Sequence, residues 1–428
     1  MTLHSLLSAG SNARGQLATG DSEDRHNFTA CSFYGFSPNV IPHHFKDIIQ
    51  IACGSNHTLL LADTIHDPPR RELWGCGDGR RGQLGPLVAS LRDPSTTLFR
   101  PLELDTHSLG LADYNPKNIA TSWETSYVVF SHPEKNDVIV SFGANDYGNL
   151  GMGHTKSVNP VQSLQVIDIS SAICEKHVES IHIEHIAAAM HHVVISLRMS
   201  NEHSQSKTVL VGWGASRHGQ LGAVVASSKP VPNCPSPVII PLQNPDSVIS
   251  LSAGTHHTVV LHSSGKLSVL GSDRKGQIHN LDNLESVCAV GCTWNGTFAV
   301  VKSAGIDHVL ASGINSKGQL GRTPGTSTHN LPLTVQFPPR SSTHKLIDLV
   351  CGSEHVLCSL AATDVQPSAS RTELWGWGWN EHGNLALGHV EDVYTPTKLW
   401  PPTTETGSTA LSYISAGCGT SWIVLHSV

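Results

Sequence analysis

Residues 51–58 read IACGSNHT, and residues 73–84 read LWGCGDGRRGQL. These two strings decide the fold, because both recur along the chain. The second contains the pattern Gly-x-x-x-x-Gly-[Gln/Asn]-[Leu/Ile], here named the Gly turn, which occurs seven times at spacings of 67, 66, 71, 57, 42 and 65 residues. Its copies lie at 10–17, 77–84, 143–150, 214–221, 271–278, 313–320 and 378–385. Near-regular repetition of this kind predicts a repeat architecture.

The first string, here named the His string, is a small residue followed by Gly-x-x-His-[Thr/Val] and an apolar run. Its best copies are at 53–58, 253–258 and 351–356, and degenerate copies are at 121–125, 188–192, 292–297 and 416–420. Short apolar runs separated by polar turns follow the His strings, as in residues 259–270. Such runs predict β-hairpins. No long segment with helical periodicity competes with this interpretation.

The repeats predict an all-β fold, a seven-bladed β-propeller with about four strands per blade. The first Gly turn has no His string before it, and the last His string has no Gly turn after it. The two ends of the chain therefore complete one blade, and the strand around residues 3–8 is expected to pair with the C-terminal strand and close the ring. A length of 428 residues alone suggests two or three domains. The repeats instead predict a single propeller domain over 1–428.

Composition excludes several classes of protein. Hydrophobic residues make up 39% of the chain, which is enough to bury a core. No apolar run reaches the ~18 residues that a membrane-spanning helix needs, and the N-terminus lacks the basic region of a signal peptide. A net charge of -7 argues against a DNA-coating protein. We expect no direct contact with DNA or membrane, and a cytoplasmic location with the nucleus as a second one.

The repeated Gly, Gln and His are expected to be structural, because a catalytic residue is not needed seven times. The Gly turn has the glycine spacing of a phosphate-binding loop, but Gln or Asn follows the second glycine, where that loop has Lys. Cys288-x-x-x-Cys292 invites a metal interpretation, but Cys53, Cys292 and Cys351 share one repeat position on three blades, no Cys-x-x-Cys pair occurs, and a zinc site needs four clustered ligands. No nucleophile elbow or His-Glu-x-x-His motif occurs. We expect no catalytic residue, metal or cofactor, and no enzyme activity.

Function is expected where the repeats differ, because the symmetry of a propeller places the corresponding turns on one face. A Trp in an exposed turn is a typical interface anchor. Core packing is the alternative for each Trp, and plain solvation is the alternative for the arginines. The predicted partner-binding residues are Trp379, Asn380, Glu381, His382, Trp123, Glu124, Trp294, Arg80 and Arg81.

The paired strings resemble the repeat of the regulator of chromosome condensation family, over essentially the whole chain. The resemblance implies the seven-bladed propeller but leaves function open, since one fold hosts many functions. The founding member of that family promotes nucleotide exchange on the small GTPase Ran. A guanine-nucleotide exchange factor for a Ran-like GTPase is therefore the alternative function.

Residues 76–82, Trp123-Glu124 and residues 377–384 (WGWNEHGN) are similar to the α-tubulin-suppressor branch of fungal propellers, which is linked to killer-toxin insensitivity. That resemblance implies a non-catalytic, scaffold-like partner of a small metal-binding electron-carrier protein. The two would form a heterodimer serving diphthamide synthesis and Elongator-dependent modification of the tRNA wobble uridine. Long loops at 230–246 and 323–344 exceed the compact pattern of that branch and leave its docking surface open.

Overall fold

The computed structural model describes residues 3–67, 69–162, 164–173, 178–201, 206–222, 231–244, 246–303, 305–323, 332–338, 344–362, 372–402 and 409–427. Within these ranges the chain forms strands β1 to β27, grouped in seven antiparallel sheets. The predicted all-β, seven-bladed propeller is confirmed. Parts of the two predicted long loops, including residues 324–331 and 339–343, lie outside the described residues.

Each blade is one sheet whose strands follow in chain order from the ring axis outward. Blade 1 holds β3 (Phe45–Cys53), β4 (His57–Thr64), β5 (Arg71–Asp78) and β6 (Ser95–Pro101). Blade 2 holds β7 (Asn115–Thr121), β8 (Thr125–His132), β9 (Lys135–Gly143) and β10 (Gln165–Val166). Blade 3 holds β11 (Val178–Ala188), β12 (His192–Asn201), β13 (Ser206–Ala215) and β14 (Asn233–Ile240).

The second half of the ring repeats the same order. Blade 4 holds β15 (Val248–Ala253), β16 (His257–His262) and β17 (Leu267–Gly271). Blade 5 holds β18 (Val287–Thr293), β19 (Gly296–Ser303), β20 (Ile306–Gly313) and β21 (Leu333–Thr334). Blade 6 holds β22 (His344–Cys351), β23 (His355–Ala362), β24 (Thr372–Gly378) and β25 (Val393–Trp400). The first strands of successive blades contact one another around the axis.

Blade 7 closes the ring with strands from both ends of the chain. It holds β26 (Thr409–Ala416), β27 (Thr420–Ser427), β1 (Leu3–Gly10) and β2 (Arg25–Ala30). β1 pairs antiparallel with β27, with Leu6 opposite Val424 and Leu7 opposite Ile423. The predicted pairing of the N- and C-terminal strands is confirmed, and it removes the free sheet edges of an open array.

Blade 4 departs from the expected four strands. Only 42 residues separate its Gly turn from the next one. After the turn, a single 3-10 turn at Leu281–Asn283 leads directly to β18. The short connection leaves no room for an outer strand and its return, so this blade has three strands.

Helical structure among the described residues is minor. It comprises α1 (Gly85–Ala89) and 3-10 turns at Pro160–Gln162, Ser170–Ala172 and Leu281–Asn283. None of these described helices is long and apolar enough to cross a membrane.

Apolar side chains between adjacent blades form the core. Strands alternate their side chains between two faces, and both faces of a blade meet a neighbour. Leu59 and Leu61 of blade 1, for example, pack with Val128 and Phe130 of blade 2, and all four are almost fully buried. Full burial of each such side chain contributes about 1.5–3 kcal/mol. These contacts hold the blades together as one ring.

Candidate protein-docking face

The His strings and the Gly turns emerge at the same end of the blades, here named the motif face. Antiparallel strands reverse direction at each connection, so the first and third connections of a blade share one end. Contacts confirm this: the Asp78 backbone N–H donates to the Asn56 carbonyl at 2.7 Å, and the Trp379 N–H donates to the Glu354 carbonyl at 2.9 Å. The varying residues of both strings therefore lie side by side.

In six of the seven Gly turns the Gln or Asn fixes the turn itself, whereas Asn384 of blade 6 donates from Nδ2 to the Trp379 carbonyl instead. Gln83 Oε1 accepts the Arg81 backbone N–H at 2.8 Å. Gln16, Asn149, Gln220, Gln277 and Gln319 accept the backbone N–H two residues before them in the same way. The first glycine is needed as well, because Gly77 has φ +96° and a Cβ there would lie 2.3 Å from the Asn56 carbonyl oxygen. The predicted structural role of these residues is confirmed.

The His of each good His string, and His192 of the degenerate string at 188–192, bonds to the next blade. His57 Nε2 lies 3.0 Å from Ser126 Oγ, and Ser126 Oγ–H donates to the Gln83 carbonyl at 2.7 Å. The ring therefore donates from Nε2. The corresponding pairs are His192–Thr258, His257–Thr297 and His355–Ser421, at 2.9–3.1 Å.

Burial keeps these four imidazoles neutral. It lowers the pKa of His57 and His192 to about 3 and that of His257 and His355 to about 4. The glycine of the string makes room for the ring, since a Cβ on Gly54 would lie 2.1 Å from His57 Cε1. The histidines are structural links between blades, as the sequence predicted.

A further structural position in the Gly turn was not predicted from the sequence. The second residue between the two glycines is often Asn, and Asn145 Oδ1 accepts the Leu150 N–H at 2.9 Å while its amide donates to two backbone carbonyls. Asn12 and Asn380 do the same, and Asn315 accepts the Leu320 N–H and donates to the Arg322 carbonyl. Asn380 is fully buried and its side chain is engaged by its own turn, and a docking role for it stays a prediction. The recurrence of Asn at this position is the signal that identifies the role.

Trp123 and Trp294 meet over the ring axis. They occupy equivalent positions in the His strings of blades 2 and 5, which lie three blades apart in a ring of seven. Their ring centres are nevertheless 5.8 Å apart, at an interplanar angle of 50°. Both side chains are half-buried. The pair therefore covers the centre of the motif face while leaving aromatic surface accessible.

Trp379 lies nearer the rim, in the Gly turn of blade 6. Its Nε1–H donates to Glu381 Oε2 at 3.0 Å, and its ring packs edge-to-face with His382 at 5.3 Å. It also covers Gly419 of blade 7. Glu381 is exposed, and His382 pairs with Asp24 at 2.7 Å. Trp379, Glu381 and His382 thus stand at the surface and remain predicted docking residues.

The predicted arginines are engaged within the face. Arg80 forms a two-pronged ion pair with the buried Asp78, whose Oδ2 lies 2.5 Å from Arg80 Nη2. Burial raises the pKa of Asp78, but the Arg80 bonds outweigh it and hold that pKa below its usual value. Arg81 pairs with Asp146 at 2.6 Å and lies 3.8 Å from Glu124. Their charges are largely neutralised by neighbours, although both side chains keep exposed surface.

Comparison with known proteins agrees with this geometry. The family model for the regulator of chromosome condensation (RCC1) repeat matches residues 4–61, 210–261, 307–359 and 373–424, which together make half of the chain. The chain belongs to the RCC1 repeat family. The structural Gly, Gln and His described above are thus recurring residues of its RCC1 repeats.

Three relatives illustrate the range of the similarity. An RCC1 repeat-containing protein of Schizosaccharomyces pombe is 27% identical over 98% of this chain and 99% of its own. The secretion-regulating guanine nucleotide exchange factor of Bos taurus is 25% identical over 98% of this chain and 82% of its own. The structure of Prp20p from Saccharomyces cerevisiae, reported with its binding to Gsp1p and histones, has a TM-score of 0.70 at 15% identity and covers 100% of this chain and 92% of that one. The Prp20p likeness concerns the fold.

The chemistry of the motif face in this RCC1 propeller suits protein binding. It presents aromatic rings, paired charges and backbone loops fixed by neighbouring blades. Among the described residues, no group of three or more His, Cys, Asp or Glu side chains is arranged to hold a metal ion. RCC1-repeat propellers are in general non-catalytic proteins that bind partners or act as exchange factors.

Proposed function

We propose that this RCC1-repeat propeller is a non-catalytic protein that docks a globular protein partner on its motif face. The observation that carries the proposal is the Trp123–Trp294 pair, which meets over the axis with aromatic surface still accessible. Trp is among the residues that contribute most to interface free energy when a partner buries it. A central aromatic pair surrounded by polar turns has the layout of an interface core and its rim.

The pair is held in place before any partner arrives. The Trp123 carbonyl accepts the Ser55 N–H at 2.8 Å, and the Trp123 N–H donates to the Met190 carbonyl at 3.1 Å. The Trp294 N–H donates to the Ser353 carbonyl at 2.7 Å. These bonds link the His strings of successive blades into a chain around the axis. Preorganisation of this kind lowers the entropy lost on binding.

For the partner we propose a small metal-binding electron-carrier protein of diphthamide synthesis and Elongator-dependent tRNA modification, joined in a heterodimer. This proposal rests on the resemblance of residues 76–82, Trp123-Glu124 and residues 377–384 to the α-tubulin-suppressor branch. Supporting it, the motif face carries Trp123, Trp379 and Glu381 from these segments. A cytoplasmic protein with access to the nucleus fits both pathways.

The second candidate is guanine-nucleotide exchange on a Ran-like small GTPase. It is favoured by the bovine relative, which is named an exchange factor and matches 98% of this chain. An exchange factor needs a rigid face that docks the GTPase, and the motif face offers one.

Capture from an extract of the source cells separates the two candidates. Tagged wild-type chain and a Trp123→Ala/Trp294→Ala variant are used in parallel, and bound proteins are identified by mass spectrometry with metal analysis. A small metal-containing protein held by the wild type and lost by the variant supports the first candidate. Its absence from the wild-type capture contradicts that candidate. Accelerated release of a labelled guanine nucleotide from captured GTPases supports the second, and no acceleration across a panel contradicts it.

A further inference from the structure

Most cations of the motif face are tied to carboxylates. Lys317 pairs with Asp392 at 3.3 Å, and His382 pairs with Asp24 at 2.7 Å. Arg80 and Arg81 are paired in blades 1 and 2, as described above. Around these blades the surface is therefore a mixture of matched charges.

Among the described residues, blades 3 and 4 place two arginines without an ion pair on neighbouring turns, whereas the similarly exposed Arg14 of blade 7 stands singly. Arg217 and Arg274, in equivalent places of the two Gly turns, are exposed, and neither forms an ion pair within the described ranges. Lys275 is also exposed, and its Nζ donates to Asn295 Oδ1 at 3.0 Å. Asn295 in turn donates to Glu354 Oε1 at 2.5 Å. Lys275 is therefore linked to a carboxylate through Asn295, and it lies at the edge of this group of cations.

Two imidazoles stand between these cations. His218 and His256 lie with ring centres 4.1 Å apart, edge to face. Burial lowers the pKa of His218, and the charges of Arg274 and Arg217 lower it further. Burial likewise lowers the pKa of His256, with His218, Lys275 and Arg274 adding to the effect. Every charged neighbour that shifts these two groups is basic, which indicates a positive local potential.

Asp273, the acidic residue of the blade 4 Gly turn, is bonded within its own turn and to His279. Asp273 Oδ1 accepts the Ile278 N–H at 3.0 Å, and its Oδ2 lies 2.8 Å from His279 Nδ1. It is committed to its own turn, as Asn is in other blades. The positive surface is thus local, on a chain whose net charge is -7.

We infer that this basic sector, formed by Arg217, His218, His256, Arg274 and Lys275, receives an acidic segment of the protein partner. The inference rests on the proposed docking function of the motif face and names the chemistry of one side of the interface. Free guanidinium groups on neighbouring turns bind carboxylates through paired N–H donors. The sector adjoins blade 5, which carries Trp294, so one partner reaches both.

The direct test uses a labelled peptide of alternating Glu and Ser, with a Lys–Ser peptide as charge control, and fluorescence anisotropy on the full chain. We expect the Glu peptide to bind at low salt, the Lys peptide not to bind, and Arg217→Ala/Arg274→Ala to weaken Glu-peptide binding about tenfold or more. The matched control is Lys266→Ala/Lys302→Ala, which removes the same charge from two exposed positions at the opposite end of the blades. It should change the affinity less than about twofold.

Equal losses in the two double variants, or no binding by the wild type, would overturn the inference. So would tighter binding of a short single-stranded DNA than of the Glu peptide, because the sector would then be a nucleic-acid site. Thermal melts of all variants confirm that folding is retained.

A second measurement separates this inference from the proposed function. Partner capture is compared for Trp123→Ala/Trp294→Ala and Arg217→Glu/Arg274→Glu. Loss of capture in both supports both. Loss only in the Trp variant keeps the docking function and contradicts the basic sector. Retained capture in both contradicts the docking face itself, and the acidic-segment inference with it.

Discussion

His57 of blade 1 donates a hydrogen bond from Nε2 to Ser126 Oγ of blade 2, across 3.0 Å. Three further histidines repeat this link around the ring. The bonds lie at the ends of the His strings, directly beneath the loops that carry Trp123 and Trp294. The stability of the ring and the rigidity of the docking face therefore depend on the same residues.

Replacing one of these histidines should destabilise the propeller. His57→Ala removes a buried ring and its bond, and we expect a loss of about 2–3 kcal/mol in the free energy of unfolding. Guanidinium denaturation measures it, with His107→Ala, on an exposed loop residue, as the control. Gly54→Ala should also destabilise the chain, because its Cβ would meet the His57 ring. A double-mutant cycle of Gly54→Ala and His57→Ala should show a large coupling free energy. Losses of stability that simply add would contradict the contact between position 54 and the His57 ring.

Stability should fall as the solution becomes acidic. The four buried histidines have folded pKa values of about 3 to about 4, below the ordinary 6.5. At pH values between the folded pKa and 6.5, the unfolded chain binds more protons than the folded one. The free energy of unfolding therefore decreases as pH falls below about 6.5. Each histidine contributes a slope of up to about 1.4 kcal/mol per pH unit.

Denaturation between pH 7 and pH 5, above the range where most carboxylates titrate, isolates this effect. His57→Gln should reduce the slope by up to about 1.4 kcal/mol per pH unit. A free energy of unfolding that stays constant over this range would show that the histidines are not buried in the neutral form.

Pairing of β1 with β27, which closes the ring, should contribute a large part of the free energy of unfolding. Leu6 is 1% exposed and packs with Trp422 and Trp74 between blades 7 and 1. Leu6→Ala should cost about 2–4 kcal/mol, and the exposed His4→Ala less than about 0.5 kcal/mol. Deletion of Met1–Ala9 removes the strand altogether and should lower the melting temperature further. A truncated chain that melts like the full one would contradict closure through this strand.

Trp379 should contribute to partner affinity from the rim of the motif face. Trp379→Ala is expected to weaken binding of the captured partner by about 2 kcal/mol or more, since it removes an exposed aromatic anchor. Calorimetric titration measures the change, and circular dichroism checks that the turn of blade 6 is intact. An unchanged affinity would place the interface elsewhere on the face.

The sequence was sufficient for the architecture because repetition is visible in the residues themselves. The order of the His strings and Gly turns at the two chain ends predicted the closing blade, and β1 pairs with β27 as predicted. Gln83 and His57 were correctly assigned to structure, since a residue that recurs from blade to blade implies a shared local need.

The candidate site was only partly predictable. The meeting of Trp123 and Trp294 depends on the curvature of the whole ring, which no local pattern encodes. The structural bonds of Asn380 are shared by Asn12, Asn145 and Asn315 at the same repeat position, and the residue type alone does not show that these side chains turn inward. The neutralisation of Arg81 by Asp146 joins adjacent blades through side-chain geometry that spacing alone does not give.

In the proposed complex, the Trp123–Trp294 pair forms the core of the docking face. The most direct test of this role is the Kd of the captured partner, measured for the wild type and for Trp123→Ala/Trp294→Ala. The control is Tyr34→Ala, which removes an exposed aromatic side chain beside Arg70 and Arg71 at the other end of the blades. We predict a loss of at least about 100-fold in the Trp variant and less than about twofold in the Tyr34 control. A Trp variant that keeps its fold and binds the partner within about twofold of wild type would contradict the account.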